Sequence, residues 1–375
     1  MAQENVESRV RLVHGVPVGY PHTEAGAKAA AANYTVVMGS SRFLIDRSFR
    51  RRAVSVLGVS SAASAVAREA DRRADRVVGE LRGENAKADP RQAIARTGVL
   101  SARVLGFDIH KAAVRLWITT VRGNAAGHAT PRAAFQSVTL ILVWEDNDWK
   151  MQGSSAAGGL VAPIDTRQAS NVTRDFADYV PASAADPVMS GAVGAGGFPA
   201  AYVRNEREAR AAATSAAMLY GDPRFFTDSG WRHRMLNATA APSVLGTVTS
   251  EADTTARLVV ENRALGADGR TVDGGALVTR TAVLATRSVA YSGQAASVEL
   301  WTASVGGVAG TDETQRPRVA FLRMAVELTW AEGTWKTLAV TPSEPLVPAP
   351  PAEEQASSAA SFASVGGAGD APALP

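Results

Sequence analysis

Arg42-Phe43-Leu44-Ile45-Asp46 and Arg224-Phe225-Phe226-Thr227-Asp228 are one short phrase written twice, 182 residues apart. Outward from it, Val114-Arg115-Leu116-Trp117 returns as Val298-Glu299-Leu300-Trp301 after 184 residues. Trp144 with Trp149-Lys150 returns as Trp330 with Trp335-Lys336 after 186 residues. Order is kept and the spacing barely drifts. A period of this length exceeds the roughly 20 to 50 residues of a solenoid unit and is the size of a domain, so the chain reads as a tandem duplication.

Each half carries the same succession of local signals. Glu24 to Met38 and Glu206 to Tyr220 are Ala-rich, follow Thr23 and Asn205 as N-caps, and stop at Gly39 and Gly221; these are helix start and stop signals. Asp46 and Asp228 are the next N-caps, opening helices with Arg50-Arg51-Arg52 and Arg232-His233-Arg234. A third helix is clearest over Ala62 to Leu81, where Val66, Ala70, Ala74, Val77 and Leu81 fall at helical spacing. The period then changes to two. Strands are predicted over 95–107, 112–121, 134–145 and 149–154, and again over 279–291, 296–305, 319–330 and 335–341. The connections Asp108 to Lys111, Asp146-Asn147-Asp148 and Ala331 to Thr334 are turn-like, so the strands should be antiparallel neighbours. The expectation is an α+β fold of two tandem cone-shaped domains, each with three N-terminal helices packed on a curved antiparallel sheet.

Composition agrees with two ordinary globular units. The 375 residues are 46% hydrophobic and 20% charged, with a formal net charge of +3, too small to imply nucleic acid by itself. There is no cysteine, which excludes disulfides, thiolate metal sites and a cysteine nucleophile. Met1 to Leu12 is polar, without the apolar run of a signal peptide, and no segment approaches the roughly 20 apolar residues of a membrane span.

The helices followed by long strands, the last two forming a hairpin with Trp on both sides of its turn, resemble the nuclear transport factor two-like cone fold. The residues that carry this are Trp144 to Lys150 and Trp330 to Lys336. The opening Gly15-Val16-Pro17-Val18-Gly19-Tyr20-Pro21-His22-Thr23 further resembles proteins encoded beside conjugation and type IV secretion genes of high-GC Gram-positive bacteria. That resemblance implies a non-enzymatic assembly component at the extracytoplasmic face of the cell envelope, with the protein partners of a transfer or secretion complex and self-association as its contacts. A cytoplasmic location is the alternative. Such proteins carry a membrane anchor before the first domain; here the membrane would be reached only through partners or through a missing N-terminal anchor.

The competing expectation is a small-molecule enzyme or ligand-binding protein using one cone mouth, where an Asp with a His or Arg would act as acid and base. The histidines are His14, His22, His110, His128 and His233. His110 lies in a predicted turn and His128 in the loop Gly123 to Pro131, and neither recurs in the other repeat. Asp46 and Asp228 recur, and helix capping accounts for them. There is no His pair at i, i+4 and no His-carboxylate cluster at ligand spacing. No catalytic residue, cofactor or metal is therefore expected. The repeated tryptophans are expected to fill the cone interiors or pin the hairpins. Arg68, Arg72, Arg73 and Arg76 are interleaved with Glu69, Asp71, Asp75 and Glu80, the pattern of a salt-bridged, solvated helix face rather than a nucleic-acid surface.

The composition places a first domain over 1–160, a linker with a short helix near Asn171 to Tyr179 over 161–197, a second domain over 198–346 and a Pro/Ala/Ser/Gly tail over 347–375. A linker of small residues does not hold two domains apart, so a contact between them is expected, through sheet faces or strand edges with Trp or Met near its centre.

Overall fold

A computed structural model describes residues 11–82, 93–124, 132–158, 180–181 and 201–343. The fold is α+β with antiparallel sheets. A small hairpin of β1 (Arg11–Val13) and β2 (Val16–Val18) leads into helices α1 (Glu24–Met38), α2 (Ser41–Ile45), α3 (Arg47–Leu57) and α4 (Ala63–Arg82). Strands β3 (Ala93–Phe107), β4 (Lys111–Asn124), β5 (Arg132–Glu145) and β6 (Asp148–Gly158) form a meander in sequential order. After β7 (Val180–Pro181) come α5 (Glu206–Leu219), α6 (Pro223–Thr227), α7 (Ser229–Thr239) and α8 (Leu245–Asn262). A second meander follows: β8 (Ala276–Tyr291), β9 (Ala295–Ala309), β10 (Arg318–Ala331) and β11 (Thr334–Ser343). Strand β7 pairs with the edge of β8 at Thr286 and Ala285. The expected helix near Asn171 to Tyr179 and the tail over 347–375 lie outside the described residues.

The helix starts are chemical ones. Thr23 Oγ1 accepts from Gly26 N at 3.1 Å, Asn205 Oδ1 from Glu208 N at 2.9 Å, and Asp46 and Asp228 each accept from the backbone N–H three residues on at 2.8 Å. Four helices precede each sheet, not the expected three. The additional ones, α2 and α6, are single turns of five residues, too short for a helical period to register. Ser40 Oγ accepts from Phe43 N and Asp222 Oδ1 from Arg224 N, with Pro223 in the first turn. Each ends where Asp46 or Asp228 leaves helical geometry to cap the next helix.

The duplication extends to the irregularities of the sheets. Bulges fall between Val99 and Ser101 and between Val104 and Gly106 in β3; they recur between Val283 and Ala285 and between Ser288 and Ala290 in β8. A third, between Ile141 and Leu142, recurs between Glu327 and Leu328. An extra residue bends and twists a strand, so recurrence at equivalent positions gives both sheets the same bends. Trp144 faces Trp149 and Trp330 faces Trp335 across the hairpin turns.

Strand alternation divides each sheet into two apolar faces. One face receives the Ala-rich helix: Val114, Leu116 and Leu140 pack with Ala27, Ala30 and Ala31 of α1, and Val298, Leu300 and Val326 pack with Ala209, Ala213 and Ala216 of α5. The other face of each sheet meets that of the other half. Six pairs of equivalent positions supply most of this shared core: Ile94 and Val278, Leu100 and Leu284, Trp117 and Trp301, Val121 and Val305, Ala133 and Val319, Phe135 and Phe321. Trp117 and Trp301 therefore do not fill cone interiors as expected; they point away from the helices, because alternation assigns them the opposite face from Leu116 and Leu300. At Gly98 the two sheets come close, since a Cβ there would stand 2.9 Å from the Ala282 Cβ.

Candidate functional site

Several polar contacts recur in both halves and brace the helical layer. Arg50 donates from Nε to Asp71 Oδ1 at 2.7 Å and from a terminal nitrogen to the carbonyls of Phe43 and Leu44 at 2.8 and 3.0 Å. Arg232 repeats this with Asp253 at 2.6 Å and the Phe225 carbonyl at 2.7 Å. Hydrogen bonds from these arginines hold Asp71 and Asp253 below the usual carboxylate range. His233 Nε2 lies 2.9 Å from Asp253 Oδ1, which on its own would suggest an acid-base pair. It stands, however, at the position of Arg51, which contacts Asp71 at 3.8 Å. The pair is thus a variant of the duplicated clamp.

The other histidines and aspartates are equally local. Asp46 and Asp228 are helix caps, as expected. His14 occupies a left-handed turn position at φ 52°, and His110 sits exposed in the β3–β4 turn, where its N–H donates to Asp108 Oδ1 at 2.7 Å. His128 lies outside the described residues. His22, one of the five histidines weighed as acid-base candidates, stacks on Trp144 at 3.9 Å between ring centroids and touches the Ile109 carbonyl. Arg204 takes the corresponding place beside Trp330, its guanidinium 5.6 Å from the ring centroid. Trp149 Nε1 donates to the Pro21 carbonyl at 3.1 Å and Trp335 Nε1 to that of Val203 at 3.2 Å, tying both hairpins to the segment before the long helix.

In the second half a cavity of about 1090 Å³ opens between α5–α8 and the helix-facing side of the sheet. Leu219, Phe225, Leu236, Leu322 and Met324 supply its apolar wall, and Thr279, Thr281 and Ser304 supply hydroxyls. Thr281 Oγ1 and Ser304 Oγ are 3.1 Å apart. Tyr220 lies in the wall beside Glu251; burial, followed by that negative charge, raises its phenol above its ordinary range. The charged lining residues are Glu251, Arg263 and Arg318. No histidine lines this cavity.

Two positions that differ between the repeats lie at this cavity. Repeat spacing places Arg73 of α4 opposite Thr255 of α8 in the alignment of the halves, and Arg122 of β4 opposite Gly306 of β9. In the first half α4 packs on β4, and burial, then the mutual proximity of Arg73 and Arg122, lowers the Arg73 guanidinium. Arg73 is thus turned inward, against the expectation of a wholly solvated face, whereas Arg72 pairs outward with Glu69 at 2.5 Å. In the second half both Thr255 and Gly306 line the cavity. Where the first half carries two arginines on α4 and β4, the second carries a hydroxyl and a hydrogen. Among the described residues, no group of three or more metal-ligating side chains comes together, and no helix is long and apolar enough to cross a membrane.

Residues 9–181 match the model of a domain of unknown function, DUF8175. The match covers the first repeat and ends at β7. No curated protein matches. Among solved structures, the intermembrane space region of the chloroplast protein ARC6 is similar at 14% identity and a TM-score of 0.23, over 34% of this chain and 95% of that one. An Ntf2-like protein involved in plasmid conjugation is similar at 8% identity and a TM-score of 0.20, over 85% of this chain and 96% of that one. Likenesses at these TM-scores do not establish a shared fold.

Proposed function

We propose that each half is a cone-fold domain of the nuclear transport factor two-like kind and that the joined pair is a non-enzymatic assembly component of a conjugative-transfer or type IV secretion-like apparatus. It works at the extracytoplasmic face of the envelope through protein-protein contacts. One observation carries the protein-contact part of this reading. Large apolar side chains are left exposed at equivalent positions of both halves, at the β3–β4 and β8–β9 hairpins: Leu105 (45%) matches Val289 (58%), and Phe107 (37%) matches Tyr291 (38%). Single exposed apolar residues are ordinary. A pair kept at the same place in two diverged repeats, at the ends of strands whose inner parts are buried, is what a repeated docking contact requires. The apparatus itself is suggested by the resemblance of Gly15 to Thr23.

The test is genetic. Deleting the gene from its native host should lower transfer of the resident conjugative element. Complementation with Leu105→Asp/Val289→Asp should leave transfer low at normal protein level, because exposed substitutions change stability by only about ±0.5 kcal/mol. Undiminished transfer in the deletion strain would remove the proposed role, and full complementation by the double variant would remove the proposed surface.

A further inference from the structure

We propose that the open mouth of the second half is a binding site for a single-chain anionic amphiphile of the fatty-acid class, and that the first half has lost or never had this site because Arg73 and Arg122 fill it. The inference is independent of the assembly role. The volume of the cavity, about 1090 Å³, is just above the roughly 300–1,000 Å³ typical of small-molecule sites. A void of this size lined by Leu219, Phe225, Leu236, Leu322 and Met324 leaves apolar surface uncovered that a hydrocarbon chain would remove from water. The charges at the lining favour an anionic head: Arg263 and Arg318 against the single carboxylate Glu251. Arg318 is exposed and Arg263 half-buried, which places both toward the solvent side of the cavity, while the hydroxyls of Thr281 and Ser304 lie on the sheet beneath. The apolar tail is then taken up by Leu219 of α5, Phe225, Leu236 and the β10 residues Leu322 and Met324, and the carboxylate by the two guanidiniums, a charge-assisted pairing that a neutral head cannot make.

The contrast between the repeats supplies its own control. Thr255→Arg/Gly306→Arg rebuilds in the second half the arrangement that the first half already tolerates, so the variant should fold while losing the cavity. Calorimetric titration of the full chain with monomeric dodecanoate should show one saturable site. The double arginine variant should weaken binding by at least about tenfold, and Arg263→Gln/Arg318→Gln should do the same for dodecanoate while leaving dodecanol within about threefold. Failure of the parent chain to bind dodecanoate would overturn the proposal. So would undiminished binding by Thr255→Arg/Gly306→Arg, or binding only to vesicles of anionic phospholipid, which would mean a membrane surface and not an enclosed site. Equal loss of dodecanol and dodecanoate in the Arg263/Arg318 variant would overturn the assignment of the head. Should the double arginine variant not fold, the reciprocal Arg73→Thr/Arg122→Gly decides: a second equivalent of dodecanoate bound supports the proposal, and unchanged stoichiometry refutes it.

Discussion

Truncating Trp301 to alanine tests the sheet-against-sheet core directly. The side chain is fully buried and belongs to an apolar cluster that takes residues from both halves. Removing so large a group from a packed core costs about 3–5 kcal/mol, the lost transfer energy plus the cavity left behind. At about 2–4 °C per kcal/mol for a unit of this size, the midpoint should fall by about 6–20 °C. The informative part is which half responds. Because Trp117 stands at the equivalent position of the other sheet and shares the cluster, Trp117→Ala should lower the same transition. The double variant should cost less than the sum of the two, since neighbours in one core are coupled. Differential scanning calorimetry of the parent, both single variants and the double variant gives all four corners of the cycle. Two resolved transitions in the parent, with each substitution moving only its own, would refute a shared core and leave the halves as independent beads.

Three further outcomes follow from the packing. Gly98→Val should destabilise by about 1–3 kcal/mol through overpacking, because its Cβ would meet Ala282 and Leu284 at 2.9 and 3.0 Å; chemical denaturation measures it, and a neutral result would mean the sheets are farther apart. Asp71→Ala should cost toward the lower end of roughly 3–5 kcal/mol, because the buried Arg50 loses its carboxylate but keeps two carbonyl partners; Arg50→Met/Asp71→Ala should recover part of that loss in the same assay. Asp71 and Asp253 are held below the ordinary carboxylate range by their arginines, so their contribution is present above that range and is lost as pH falls through the depressed values. Acid titration of stability should therefore be shallower in Asp71→Asn/Asp253→Asn, and an unchanged acid slope would assign acid lability to other groups.

The duplication and the long helices were legible because their signals are local: Thr23 and Asn205 as caps, Gly39 and Gly221 as stops, and Trp144 and Trp149 across a short turn. Helices α2 and α6 were not, since five residues give no period and Phe43-Leu44 reads equally as loop. Alternation showed that Trp117 and Leu116 face opposite ways without saying which way the helix lies, so the tryptophan was assigned to the wrong core. The cavity is lined by residues far apart in sequence, Thr255 and Gly306 among them, brought to the two sides of a helix-sheet gap. Aligning the repeats exposes the exchanges with Arg73 and Arg122, but their meaning appears only when α4 is seen lying on β4.

The six matched pairs of the inter-sheet core are one surface patch meeting its own copy. That is the geometry of an isologous homodimer interface, here built within a single chain. A single-repeat ancestor would have paired through the same patch, with both subunits bound to identical sequences by their common gene. Within one chain the two copies of the patch need not share a sequence: one half carries Arg122 where the other carries Gly306, so the pair can present two unlike faces while keeping the contact that holds it together.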